Sequence, residues 1–337
     1  MMSLTTLAAL ASLTASATAL PQLGAKVNMT VPSMNNGLPG TAMKGHRWIK
    51  LPAEPELEKE FEKLGVWNTW TSGMTEAVVP PEKWAAVERA LLQDRDWVYH
   101  AEDMQEMLEN DKDARRRHPY KRGMRNNEFY MAWRNLPEIL DYIDFLKTLA
   151  PENMTIDDIV AGETYEGNEM PGIRVLAGPG TEPRPSFIMH GCHHSGEWIT
   201  AMGMVYFIEQ LITTYGIDPA LTRIADAYEF DLVPVMNIDG FLFGWENDSF
   251  RTWRKTRSMH ADNLAAHAAC ELVTPGSCEN CFGTDPNRNW DVNWGGVGAS
   301  DNPCSGSYYG ESPFLEPEAR TMADFVRERA ATIYIGK

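Results

Sequence analysis

The chain has no histidine beyond His267, no His-Glu-x-x-His motif, no internal repeat and, past its N-terminal stretch, no apolar run long enough to span a bilayer. It has only five cysteines in 337 residues, and its 30 lysines and arginines are outnumbered by 47 aspartates and glutamates. The basic deficit leaves a formal charge of -17 with no compensating basic stripe, which argues against nucleic acid or an anionic membrane as partner. The lack of later apolar runs argues against a helical membrane protein. Without the paired helical histidines of His-Glu-x-x-His, a zinc endopeptidase of that type is disfavoured. What remains is an acidic chain long enough for one large domain and a smaller one.

The first residues, Met1 to Leu13, are apolar and are followed by Ala17-Thr18-Ala19, a small-x-small cleavage site. This reads as a secretory signal over 1–19, and hence as a secreted, extracellular protein. The Asn-x-Ser/Thr triplets at Asn28, Asn153 and Asn247 are compatible with that export route. Four of the cysteines, Cys270, Cys278, Cys281 and Cys304, lie close together and can pair in an oxidising compartment, with their pairing left open by the residues themselves. Cys192 is left over and reads as a buried free thiol.

Residues 20–44 are rich in Gly, Pro, Asn and Ser, the composition of a linker or disordered arm. Over 45–112 the pattern reads strand at Arg47 to Leu51, helix at Pro55 to Leu64, strands at Val66 to Trp70 and Glu76 to Val79, helix at Pro81 to Leu92, and strand at Asp96 to Tyr99. That order, βαββαβ, is the ferredoxin-like arrangement, and a short acidic helix at Glu102 to Asp111 follows it. Over 113–125 the charge reverses at Arg115-Arg116-Arg117, Lys121-Arg122 and Arg125, which reads as an exposed basic linker open to a trypsin-like or furin-like protease. From 126 to 337, strand-like runs at Ile173 to Ala177, Ser186 to Met189 and Phe230 to Val235 alternate with helices at Leu136 to Leu149, Trp198 to Tyr215 and Pro317 to Arg329. The alternation predicts an α/β domain with a mixed or mostly parallel sheet.

The chemistry gathers where the strand Ser186 to Met189 turns into the helix from Trp198, along His190-Gly191-Cys192-His193-His194-Ser195-Gly196-Glu197. Imidazole nitrogen and carboxylate oxygen are zinc donors, and a strand-to-helix turn lets two donors this close in sequence converge on one ion. His194 and Glu197 are the favoured pair, with His190 and His193 as rivals. Read in order with Asn237-Ile238-Asp239-Gly240-Phe241, Trp253-Arg254-Lys255-Thr256-Arg257, Asp285-Pro286-Asn287-Arg288-Asn289-Trp290 and Pro303-Cys304-Ser305-Gly306, this segment closely resembles the zinc carboxypeptidases of the carboxypeptidase A/B type, the M14 peptidases.

The resemblance runs from about Gly45 to the end of the chain and implies a mixed-sheet carboxypeptidase-like domain behind an inhibitory pro-segment and its activation site. It implies that His194 and Glu197 hold zinc, that Arg254 stabilises the oxyanion of the scissile carbonyl, and that Asn287 and Arg288 bind the terminal carboxylate of a peptide or protein substrate. It further implies that Cys281 joins Cys304, with Cys270 and Cys278 as the second pair. Gly196 stands where the family usually has Arg. The family's third zinc ligand, a His on the strand after the helix resembling Pro317 to Arg329, has no counterpart in Ala331-Thr332-Ile333-Tyr334-Ile335-Gly336-Lys337, and its catalytic Glu and capping Tyr lie further on still. His260 and His267 are poor replacements. The expectation is therefore a C-terminally shortened, inactive form of a secreted carboxypeptidase zymogen, with a non-catalytic peptide- or protease-binding protein as the alternative.

Overall fold

The computed structural model describes residues 43–336, apart from 55, 72, 126, 179–182, 275 and 277. The signal expected over 1–19 and nearly all of the arm over 20–44 lie outside the described residues.

The N-terminal unit runs β1 (Arg47–Pro52), α1 (Leu57–Lys63), β2 (Asn68–Thr71), β3 (Met74–Val79), an irregular helix whose central turn is α2 (Trp84–Val87), and β4 (Val98–Ala101). Its strands are antiparallel in the order β2-β3-β1-β4. Strict alternation of burial along β3 turns Thr75, Ala77 and Val79 inward, as a sheet with one wet face requires. Ile49, Leu51, Phe61, Val79 and Val87 close a small core against α1 and the irregular helix.

Helix α3 (Met104–Arg117) follows, and here the structure corrects one expectation. The helix predicted to stop at Asp111 runs on through all three arginines, so the basic segment begins as ordered helix. Cations in a last turn face the negative end of the helix dipole. Arg115 also donates to the carbonyl of Trp133 at 2.6 Å and pairs with Glu138 at 3.0 Å. Lys112 pairs with Asp248 at 2.5 Å, and Asp111 lies 3.7 Å from Arg251, so α3 is fastened to the larger unit along its length. Arg116 and Arg122 remain largely exposed. Beyond them, the buried Arg134 donates from Nε to Phe129 O, from Nη1 to His118 O and from Nη2 to Glu128 O, drawing the chain after α3 onto the larger unit.

The larger unit opens with α4 (Leu136–Lys147), which starts at a capping box between Asn135 and Glu138. It continues through β5 (Met154–Glu163), β6 (Glu169–Ala177), β7 (Ser186–His190), α5 (Trp198–Thr213), α6 (Pro219–Ala227), β8 (Glu229–Val233), α7 (Ile238–Glu246), α8 (Ala261–Glu271), α9 (Pro317–Glu328) and β9 (Ile333–Gly336). The sheet order is β5-β6-β8-β7-β9, antiparallel from β5 to β8 and parallel among β8, β7 and β9. It is a mixed sheet. Ile139, Ile143, Val205, Ile208, Ile173, Phe230 and Leu232 fill the core between the sheet and α4 and α5. Asp231, fully buried on β8, accepts from Arg174 Nε at 2.7 Å and Arg329 Nε at 2.8 Å, which ties the end of α9 to the sheet. Disulfides join Cys270 to Cys278 and Cys281 to Cys304.

Candidate metal and peptide site

Strand β7, paired on its two edges with β8 and β9, delivers the chain to the site, and the turn behind it is tight. A Cβ on Gly191 would fall 2.6 Å from Pro234 O, and Cys192 follows with φ of 46°, in the left-handed region that side chains rarely adopt. The Cys192 thiol is free and buried, and burial pushes its pKa up to about 12, which leaves it inert. The turn ends at Glu197, the N-cap of α5.

His194 and Glu197 meet there, with Nδ1 and Oε1 3.2 Å apart. On the other side of the ring, His194 Nε2 lies 3.1 Å from Asp285 Oδ1. Asp285 is fully buried; burial pushes its pKa up, but the charge of Arg254 and the hydrogen bond from His194 outweigh that and hold it well below the usual carboxylate range. An ionised carboxylate accepts the Nε2 proton, so Nδ1 and Oε1 face each other as two acceptors, an arrangement that a cation resolves. Two donors on one tetrahedral zinc lie about 3.4 Å apart, close to the separation found. The pair fits zinc. Among the described residues, no group of three His, Cys, Asp or Glu is placed to hold a metal.

Arg254 is buried and donates from Nε at 3.0 Å and Nη2 at 2.8 Å to Asp285 Oδ2, with Nη1 4.0 Å from Glu197 Oε1. Its backbone is gripped from two sides. Ser195 N donates to Arg254 O and Ser195 Oγ to Trp253 O, while Asn237, the N-cap of α7, donates from Nδ2 to Lys255 O at 3.0 Å. Gly240 is required one turn later, because a Cβ there would lie 2.7 Å from Lys255 O. The Asn-x-Asp-Gly motif thus acts by locking the segment that carries Arg254.

Asn287 is exposed beside the site, and its backbone N–H donates to Asp285 Oδ1 at 2.9 Å. Arg288 is half-buried on the rim, with Nε donating to Gly298 O at 2.7 Å. The other histidines are engaged elsewhere. His190 Nε2 is 2.8 Å from the Tyr334 hydroxyl, His193 receives the Trp290 indole N–H at 3.4 Å, His260 pairs with Glu316, and His267 stacks on Phe282. Gly196 has no room for the family's arginine, since a Cβ would meet Trp253 O at 2.7 Å. Arg251 reaches back to donate to Gly196 O at 2.8 Å and lies over the Trp198 ring.

The N-terminal unit lies across this site. Trp48, Trp67, Thr69 and Glu76 face His194, Glu197 and Arg254 over a cleft of only about 50 Å³. Ser307 Oγ donates to Glu58 Oε1 at 3.0 Å, and the charges of Arg288 and Arg254 bear on that carboxylate. Asp285 and Glu58 were not singled out in the sequence: an Asp before Pro-Asn reads as a turn, and Glu58 as one more acid on a charged helix.

The family profile of Peptidase M14, zinc carboxypeptidase, matches residues 139–336, and the chain belongs to that family. It is 37% identical over 199 residues to carboxypeptidase A1 of Sus scrofa, covering 59% of this chain and 42% of that one. To carboxypeptidase A1 of Mus musculus it is 32% identical over 295 residues, covering 84% of this chain and 65% of the relative. The chain therefore spans between about two fifths and two thirds of these curated relatives. Among solved structures, thrombin activatable fibrinolysis inhibitor superposes with a TM-score of 0.67 at 23% identity, covering 87% of this chain and 71% of that one. Carboxypeptidase A from Helicoverpa armigera gives 0.65 at 23% identity, covering 88% and 70%. These likenesses carry the mixed α/β carboxypeptidase-like fold.

Proposed function

We propose that this chain carries the metal- and peptide-binding part of a secreted zinc carboxypeptidase that is made as a zymogen and removes C-terminal amino acids from peptides. The observation that carries this reading is the run Glu197, His194, Asp285, Arg254, in which a carboxylate orients the metal-binding histidine and the arginine together. When held by His194 and Glu197, zinc supplies Lewis-acid polarisation of the scissile carbonyl and activates water. Arg254, fixed by Asp285 before any substrate arrives, offers its guanidinium to the charge developing on that carbonyl oxygen, so little reorganisation is needed during reaction. Asn287 and Arg288 receive the terminal carboxylate, Arg288 through a two-pronged contact, which limits action to chain ends.

In the same reading, residues 45–112 are the pro-segment, a ferredoxin-like unit whose Glu58, held by Ser307 Oγ, feels the positive charges of Arg288 and Arg254 that a substrate carboxylate would meet. Activation is by a protease cutting in the basic segment, at Arg117 or Arg122. The test is to treat the full secreted chain with trypsin and zinc and follow amino-acid release from a peptide, with and without chelator. Chelator-sensitive release from the C-terminus supports the reading.

A second reading rests on Asn287 and Arg288, which can hold a terminal carboxylate whether or not the bond behind it is cut. In it the protein binds peptide C-termini without cleaving them. Calorimetric binding of a peptide with a free C-terminus, but not of its amide, with no amino-acid release would select this second reading. Failure of both release and binding would overturn both.

A further inference from the structure

Two of the three Asn-x-Ser/Thr triplets fall among the described residues, and their surroundings differ. Asn153 is exposed in the turn between α4 and β5. Its carbonyl accepts from Gly178 N–H at 2.9 Å, and Met154 N–H donates to Pro151 O at 2.9 Å, so the backbone of the triplet is fixed. Alternation along β5 then sorts the side chains: Met154 turns into the core, and Thr155 is exposed like Asn153. The acceptor carboxamide and the hydroxyl two residues on both stand at the surface, where an oligosaccharide is carried without disturbing the core.

Asn247 differs on both counts. It is half-buried, and its Oδ1 accepts from Ser249 N–H at 2.9 Å to cap the turn Asp248–Phe250. Asp248, inside the triplet, pairs with Lys112 of α3 at 2.5 Å. An oligosaccharide there would stand in the seam between α3 and the larger unit.

We propose that Asn153 carries an N-linked oligosaccharide, that Asn247 does not, and that the sugar covers an open sheet edge. Strand β5 lies at the end of its sheet and, among the described strands, pairs with β6 alone. A free edge invites pairing with another chain, and charged or bulky groups along it prevent this. Exposed Asp157 and Asp158 guard the middle of β5, and the sugar on Asn153 guards its start. In the transfer, Asn153 Nδ2 bonds to the C1 carbon of an oligosaccharide delivered on a polyprenyl diphosphate. The bond from C1 to the diphosphate oxygen breaks, the polyprenyl diphosphate leaves with the electron pair, and Nδ2 loses one proton. That donor belongs to the export route, so the proposal rests on the secreted part of the reading above.

The test is to express the full chain in cultured eukaryotic cells in two forms, as it stands and behind an established cleavable signal. Translocation of the second form does not depend on the chain's own first residues. Release of N-glycans by an amidase in heavy-oxygen water turns each modified Asn into labelled Asp, read by mass spectrometry. The expected result is label at Asn153 and none at Asn247. Thr155→Ala abolishes the label, Thr155→Ser retains it, and the enzymatically deglycosylated chain aggregates sooner on concentration. An unlabelled Asn153 in the translocated chain, or label at Asn247, overturns the proposal, and unchanged aggregation overturns the covering of the edge. Label at Asn153 only in the form with the added signal upholds the site and counts against the secreted reading.

Discussion

Asp285 Oδ1 sits 3.1 Å from His194 Nε2, and that contact decides which nitrogen of the ring is turned toward Glu197. Asp285→Asn removes the negative charge that fixes the tautomer and holds Arg254. Zinc affinity, measured by competition with a chromophoric chelator, is expected to fall about 10–100-fold, the usual cost of losing such a partner. Unchanged affinity in a folded variant would mean that His194 is oriented by something else.

Glu58 joins the N-terminal unit to the site rim through Ser307. Hydrogen bonds to charged groups contribute about 1.5–3 kcal/mol, so Glu58→Ala is expected to loosen the cover by about tenfold or more. Under limited trypsin digestion of the full chain, the N-terminal unit should separate from the remainder correspondingly faster. Glu62→Ala, whose contact with Ser300 Oγ is 3.4 Å, serves as the weaker comparison. Equal rates for both variants and the parent chain would remove Glu58 from the interface account.

His190 is buried beside Tyr334 and His193, and burial brings its pKa from 6.5 down to about 4. Between those values the unfolded chain binds a proton that the folded chain refuses. Its stability contribution is therefore complete above pH 6.5 and is lost as the pH falls toward 4. The shift corresponds to about 3 kcal/mol. In His190→Gln the fall of the urea midpoint across that window should flatten, even if the variant is less stable at neutral pH. A parallel fall in both proteins would assign the acid sensitivity to other groups.

Gly283 has φ of +72°, and a Cβ there would lie 2.0 Å from Thr256 O. Neither the backbone nor that carbonyl can yield cheaply, so Gly283→Ala is expected to cost about 3 kcal/mol or more, read as a lowered Tm. Because Asp285 is two residues on, zinc affinity should drop as well. An alanine variant with the parent Tm would contradict the tight closure of this loop.

Elements with strong periodicity were legible in the sequence. The strands β1, β3 and β7 and the helices α4, α5 and α9 could be read from their apolar spacing. Strand β5 was not, because Asp157, Asp158 and other exposed positions break its pattern and its partner β6 supplies the pairing. Helices α6, α7 and α8 start at caps inside loops and are short, so their periods barely repeat. The extension of α3 depends on Glu138, Asp248 and Trp133, all distant in sequence. The same division holds at the site. His194 and Glu197 share one turn and could be paired by eye, whereas the tie from His194 through Asp285 to Arg254 spans 91 and 31 residues and exists only after folding.

Arg134 has a bearing on what a cut in the basic segment would leave behind. Its guanidinium already grips the carbonyls of His118, Glu128 and Phe129 from within the larger unit. A chain severed after Arg117 would begin at a residue that is moored before the blade arrives. The new end would need neither to search for a berth nor to refold, and α3 would stay joined to the N-terminal unit, with Lys112 and Arg115 still holding it to the larger one.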